Sequence, residues 1–96
     1  MQFLVTAMDF TDSDALARRM QHRETHLKNV SQMIADGKFL MGGAILDDDE
    51  AMIGSALILD FPDRKSLEEH LAKDPYIDGK VWDKIEIKAI KLVPTD

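Results

Sequence analysis

A chain of 96 residues, 45% of them hydrophobic, has enough apolar side chains for one packed core and too few residues for two, and that content excludes a disordered chain. Twelve basic against eighteen acidic side chains leave a formal charge of −6, and the basic residues are scattered, which argues against binding to nucleic-acid phosphates. The absence of cysteine excludes disulfides and thiolate metal ligands, and no apolar run approaches the roughly 20 residues that span a bilayer. The expectation is a single domain over 1–96, cytoplasmic, with neither a membrane nor a nucleic-acid partner. The start, Met1-Gln2-Phe3-Leu4-Val5, carries no basic leader.

Residues 2–8 are short, apolar and partly β-branched, and predict a strand. Thr11 or Ser13 is placed to cap a helix running from Ser13 to Asp36. Along it Leu16, Met20, Leu27, Val30 and Ile34 fall on one narrow arc, the stripe expected to face a core. Gly37 is placed to end that helix in the left-handed conformation. Phe39–Leu46 and Met52–Phe61 predict two strands joined through the acidic turn Asp47–Glu50. Asp63 can cap a short helix through Lys73, which Pro75 is expected to end. Val81–Val93 predicts the last strand, and its apolar phase shifts between Ala89 and Ile90, as a bulge or bend would require.

The order β-α-β-β-α-β implies an α+β, ferredoxin-like fold: a four-stranded antiparallel sheet with both helices on one face. In the hairpin, Phe39, Met41 and Ile45 alternate with Leu40, Ala44 and Leu46, so both of its faces are apolar. Two helices cover only one face. A second copy of the sheet is the simplest cover for the other, which predicts a homodimer through the helix-free face.

Three positions break the apolar pattern. Arg23 sits at the centre of the long helix's stripe, between Met20 and Leu27, where a guanidinium needs a partner. It either snorkels out or forms a structural ion pair, or it lines a pocket between helix and sheet. His26 lies one turn on, at the stripe's edge. Asp74 follows Leu67 and Leu71 on the inward face of the other helix, and a carboxylate at a helix C-terminus would seek a cationic partner. A His26–Asp74 pair would orient the imidazole for acid–base work. His22 and His26 are four apart, as helical metal ligands can be, but Glu24 is misplaced for the H-E-x-x-H zinc motif and no third ligand is evident. No metal and no cofactor are therefore expected. His70 reads as a helix-flank residue. Gly42-Gly43 lies inside a strand, where it marks a bulge or a close approach.

These residues resemble the YciI-like (YCII-related) family. The matching pieces are Arg23-x-x-His26-Leu27, Gly37-x-x-Leu40 leading to Gly42-Gly43, Gly54-Ser55, and Asp74-Pro75-Tyr76. Val81-Trp82-Asp83 and Ile85-x-Ile87-Lys88 follow, so the set covers nearly the whole chain in order. The resemblance implies a ferredoxin-like fold paired into a dimeric α+β barrel. It also implies a site built on catalytic His26 and Asp74, with Arg23, Ser55 and Tyr76 as the expected substrate-binding residues. One relative of this architecture is a dehydrochlorinase acting on a chlorinated hydroxyhydroquinone. Many members carry Gly-Pro where this chain has Gly43-Ala44, a departure at the expected pocket rim. The expected function is thus a small-molecule enzyme running elimination or isomerisation on a His–Asp pair. The alternative is a noncatalytic small-molecule-binding dimeric module.

Overall fold

The strands of the sheet stand in the spatial order 2-3-1-4, and every neighbouring pair is antiparallel. The computed structural model describes residues 1–95; Asp96, the last residue of the expected domain, lies outside the described residues. The elements are β1 (Gln2–Asp9), α1 (Ala15–Ala35), β2 (Phe39–Leu46), β3 (Met52–Asp60), α2 (Arg64–Leu71), α3 (Pro75–Asp78) and β4 (Trp82–Ile90). The β-α-β-β-α-β order holds, with one short helix, α3, added before β4.

Strand β1 sits in the middle and fixes the layers. Phe3, Val5, Ala7 and Asp9 point to the helices and are buried, while Leu4, Thr6 and Met8 point away. Phe3, Val5, Leu57 and Leu59 form the sheet's share of the core, and Met33, Leu67, Leu71, Tyr76 and Trp82 pack onto them from the helices and the start of β4. Burying a side chain such as Leu67 fully stabilises the fold by roughly 1.5–3 kcal/mol.

Helix α1 ends as expected. Gly37 has φ of +72°, the Gly37 N–H donates to the Ile34 carbonyl, and the Lys38 N–H donates to the Met33 carbonyl. This is a Schellman ending, which satisfies carbonyls that the helix leaves open. At the other end the cap is Asp14, not Thr11 or Ser13, and no side chain bonds into the first turn. The apolar stripe is the larger correction. Leu16, Met20, Leu27 and Ile34 are exposed, Ile34 to 56%, and the buried residues of α1 are Ala15, Arg19, His26 and Met33. The helix is rotated so that its polar inward residues meet the sheet, and of the expected stripe only Val30 packs against the core.

In β2, Phe39 pairs with Leu59 and Met41 with Ile58, so Leu40 is the extra residue of a bulge. The bulge puts Phe39 on the helix side and Met41 and Ile45 on the open side, where a regular alternation would keep all three together. Gly42 is a close approach: a Cβ there would stand 2.8 Å from the Ala56 carbonyl oxygen. In β4, Ile90 pairs regularly with Gln2, so no bulge lies between Ala89 and Ile90; the irregularity falls at Asp83, between the Met8–Lys84 and Asp9–Trp82 pairs. The strand stops at Ile90, which leaves Leu92 outside the sheet. Among the described residues, no helix is long and apolar enough to cross a membrane.

Candidate functional site

Asp74 owes its position to Pro75. Helix α2 stops at Leu71, and Pro75 does not end it; Pro75 is the first residue of α3. The residue before a proline is driven to extended backbone, and Asp74 has φ −67° and ψ 138°. That makes Asp74 the N-cap of α3, not the C-terminal residue of a longer helix. Its Oδ1 accepts the Tyr76 backbone N–H at 2.9 Å. The carboxylate therefore faces N–H groups, which stabilise it.

From α1, the His26 Nδ1 lies 2.9 Å from Asp74 Oδ1 and 3.1 Å from Oδ2. The Asn29 side-chain N–H donates to Oδ2 at 3.2 Å. Two of the partners, the Tyr76 backbone N–H and the Asn29 NH2, can only donate, so the carboxylate accepts from both, an arrangement that favours the tautomer with the His26 proton on Nδ1. Both His26 and Asp74 are buried. The His26 ring stacks on Tyr76, with centroids 3.9 Å apart and planes within 9°, and Trp82 meets both rings edge-on. The ring is held on three sides. Nε2 makes no hydrogen bond among the described residues, and the His26 side chain lines the neighbouring cavity.

That cavity has a volume of about 220 Å³ and lies between α1 and the β2–β3 hairpin. Arg19, Arg23, His26, Ser55 and Tyr76 supply its polar lining, and Phe39, Val30 and Leu57 are among its apolar walls. Arg23 is half-buried, lines this cavity and an outer groove beside Glu24, and makes no hydrogen bond or ion pair among the described residues. All five residues expected from the sequence, His26, Asp74, Arg23, Ser55 and Tyr76, thus converge on one region. A roomier groove of about 530 Å³ runs from Phe10 and Leu16 to Asp47 and Asp83, but none of these five residues lines it. The smaller cavity is the candidate site because it holds the paired and unpartnered polar groups.

Arg19 is the residue the sequence did not single out. It is 3% exposed, deeper than Arg23. One guanidinium nitrogen lies 2.9 Å from both Asp9 oxygens, the other donates to Ser55 Oγ at 2.9 Å, and the guanidinium carbon stands 5.0 Å from the centre of the Tyr76 ring. Burial pushes the Asp9 carboxyl up, against the pull of the Arg19 hydrogen bond and charge. The Tyr76 hydroxyl is also pushed up by burial, opposed by Arg19 and Arg23. Spacing alone could have found Arg19: it lies seven residues, two helical turns, before His26, on the same face.

His22 does not join His26. Its ring packs against Gly79, where a side chain would collide with it. Among the described residues, no group of three His, Cys, Asp or Glu side chains is placed to hold a metal ion. His70, in the last turn of α2, is half-buried against Phe61, and its Nε2 is buried without a partner. Burial, then Lys38, pushes its pKa below the usual value.

The fold and this constellation define a small α+β domain with a buried His–carboxylate pair beside a cavity. The YCII-related domain family matches residues 1–91, and the chain belongs to that family. An uncharacterized protein of Haemophilus influenzae is 27% identical, the match covering 97% of this chain and 99% of the relative. Among solved structures, the chain is similar to 5-chloro-2-hydroxyhydroquinone dehydrochlorinase from Burkholderia phenoliruptrix AC1100, in complex with 2,5-dihydroxybenzoquinone. The TM-score is 0.82 at 24% identity, covering 95% of this chain and 94% of that one. An antibiotic biosynthesis monooxygenase shares the ferredoxin-like fold more distantly, with a TM-score of 0.57 at 17% identity over 98% of this chain and all of that chain.

Proposed function

We propose that this protein is a small-molecule enzyme in which His26 acts as a general base oriented by Asp74, running an elimination or an isomerisation. The observation that carries the reading is the buried His26–Asp74 pair, with Nδ1 on the carboxylate and Nε2 left for a cavity that also holds the unpaired Arg23. Asp74 fixes the tautomer, Nε2 takes a proton from the substrate, and Arg23 stabilises the charge that develops on a substrate oxygen. Tyr76 and Trp82 keep the ring in place. In an elimination a leaving group such as halide departs as the proton is taken. An isomerisation returns the proton at another atom. Both reactions run on these groups alone. The likeness to a dehydrochlorinase solved with a dihydroxybenzoquinone makes oxygenated six-membered rings the first substrates to assay.

The test is an assay of chloride release from chlorinated hydroxyhydroquinones, with deuterium uptake from D2O by unchlorinated analogues measured alongside. Turnover or exchange that His26→Ala abolishes is the expected result. Activity that survives His26→Ala rejects His26 as the base.

The same reading includes a homodimer. Leu4, Met8, Met41, Ile45 and Ile58 share the face of the sheet without helices, and Met41 is 68% exposed. A second copy of that face would cover them. A cytoplasmic location belongs to the reading as well, on the strength of the cysteine-free sequence.

A further inference from the structure

A hydroxyl oxygen has two lone pairs and one proton. The Ser55 Oγ lies 2.9 Å from an Arg19 guanidinium nitrogen and 3.2 Å from Trp82 Nε1. Guanidinium and indole N–H groups can only donate, so both lone pairs of Ser55 are occupied by protein. Its own proton has no acceptor among the described residues. Ser55 is 2% exposed, and what surface it has lines the cavity beside His26. Neither neighbour can move aside easily. Arg19 is locked by both oxygens of Asp9, and Trp82 is packed edge-on against His26 and Tyr76.

We propose that Ser55 is a donor-only specificity residue. Arg19 and Trp82 fill its lone pairs, and its O–H is reserved for an acceptor oxygen of the ligand, a carbonyl or an ionised hydroxyl. A ligand that presents only an N–H donor at this point, with no lone pair to offer, meets a second proton and is rejected. A ligand with only carbon there leaves a buried O–H unpaired. The charge of Arg19, passed on through the hydrogen bond it donates to Ser55, makes the hydroxyl a stronger donor and favours an oxygen that gains negative charge. This deepens the reading above and rests on the cavity being a ligand site, but it does not require His26 to act as a base.

Two neutral probes of one outline separate the possibilities: acetophenone, and α-methylstyrene, which has C=CH2 in place of C=O. Each is titrated into the full-length protein and followed by NMR shifts of the residues lining the cavity. The expected result is saturable binding of acetophenone, about tenfold or more tighter than α-methylstyrene, the discrimination a hydrogen bond to a buried donor provides. In Ser55→Ala the two probes should bind within about threefold of each other. Equal binding of both probes to the wild type overturns the proposal. So does an absence of acetophenone binding, or a preference for acetophenone that survives Ser55→Ala. The wild-type comparison needs no substitution, so it decides even if the variant fails to fold. None of these readings involves turnover. A failure here is therefore distinct from a failure of His26 as base, which shows as unchanged turnover in His26→Ala.

Discussion

The two long faces of α1 have exchanged the roles their composition suggests. The face bearing Leu16, Met20, Leu27 and Ile34 is the more apolar and is exposed, whereas the face bearing Arg19 and His26 is buried against the sheet. Hydrophobic burial alone would turn the helix the other way. The inward polar residues are tolerated because each has a partner: Asp9 and Ser55 for Arg19, Asp74 for His26. A helix thus spends its core-facing side on a site, and its leftover apolar side is left to solvent or to another surface. Paired polar groups, not the apolar stripe, set the rotation of α1.

The buried polar face of α1 depends most on Arg19. Arg19→Met removes the cation and leaves Asp9 buried and unpaired, a change expected to destabilise the fold by about 3–5 kcal/mol in urea denaturation. Replacing Asp9 by Leu in the same chain should recover part of that loss, since no lone charge remains. Recovery of nothing would mean that Arg19 acts through packing rather than through the ion pair.

At His26 the expected effect is on rate. On a substrate found by the assays above, His26→Ala should cut turnover by about 10²–10⁴-fold. Asp74→Asn should also slow it, because an amide can present N–H to Nδ1 and turn the ring's proton toward the cavity. A loss in His26→Ala with full activity in Asp74→Asn would remove Asp74 from the mechanism.

The open face of the sheet supplies a milder test. Met41→Lys places a charge on the surface proposed to pair, and sedimentation at micromolar concentration should shift from dimer to monomer. A wild-type protein that already sediments as a 10.8 kDa monomer contradicts the dimer outright.

His70 offers a smaller effect, in pH. Its folded pKa lies below the ordinary value of 6.5, with burial as the main cause. As pH falls below 6.5 the unfolded chain takes the proton first, so stability declines from there down to the folded pKa. Above 6.5 both states are neutral at this site and the contribution is flat. His70→Leu should flatten the decline, measured as urea midpoints between pH 5 and 8.

The smallest change should come from the exposed stripe. Met20→Lys is expected to alter stability by no more than about 0.5 kcal/mol. A loss of several kcal/mol would mean that the stripe is buried in solution.

The strands, the hairpin and the end of α1 were legible because each rests on local chemistry: alternation, the acidic turn and Gly37. The rotation of α1 was not, because helical periodicity finds an apolar face without saying whether a core or another surface receives it. The bulge at Leu40 parts Phe39 from Met41 and Ile45, which the alternation had placed on one face, since one extra residue resets every later side chain and leaves no mark in composition. Around the site, Arg23, His26 and Asp74 stood out as polar residues at inward positions. Arg19 shares a helix face with His26 but lies off the apolar stripe, and Arg19 and Asn29 take their roles from Asp9, Ser55 and Asp74, which only the folded chain brings near. Asp74 was read as a helix terminus of the wrong sign, and α3, four residues opened by Pro75, turned it into an N-cap.

The proposed mechanism requires Asp74 to hold the proton of His26 on Nδ1 and to leave Nε2 bare toward the cavity. Long-range ¹H–¹⁵N spectra of the imidazole, recorded at a pH where the ring carries one proton, test this without any substrate. The expected result is the proton on Nδ1 and a pyridine-type Nε2. A ring proton found on Nε2 would contradict it, because the nitrogen assigned to take a substrate proton would already hold one.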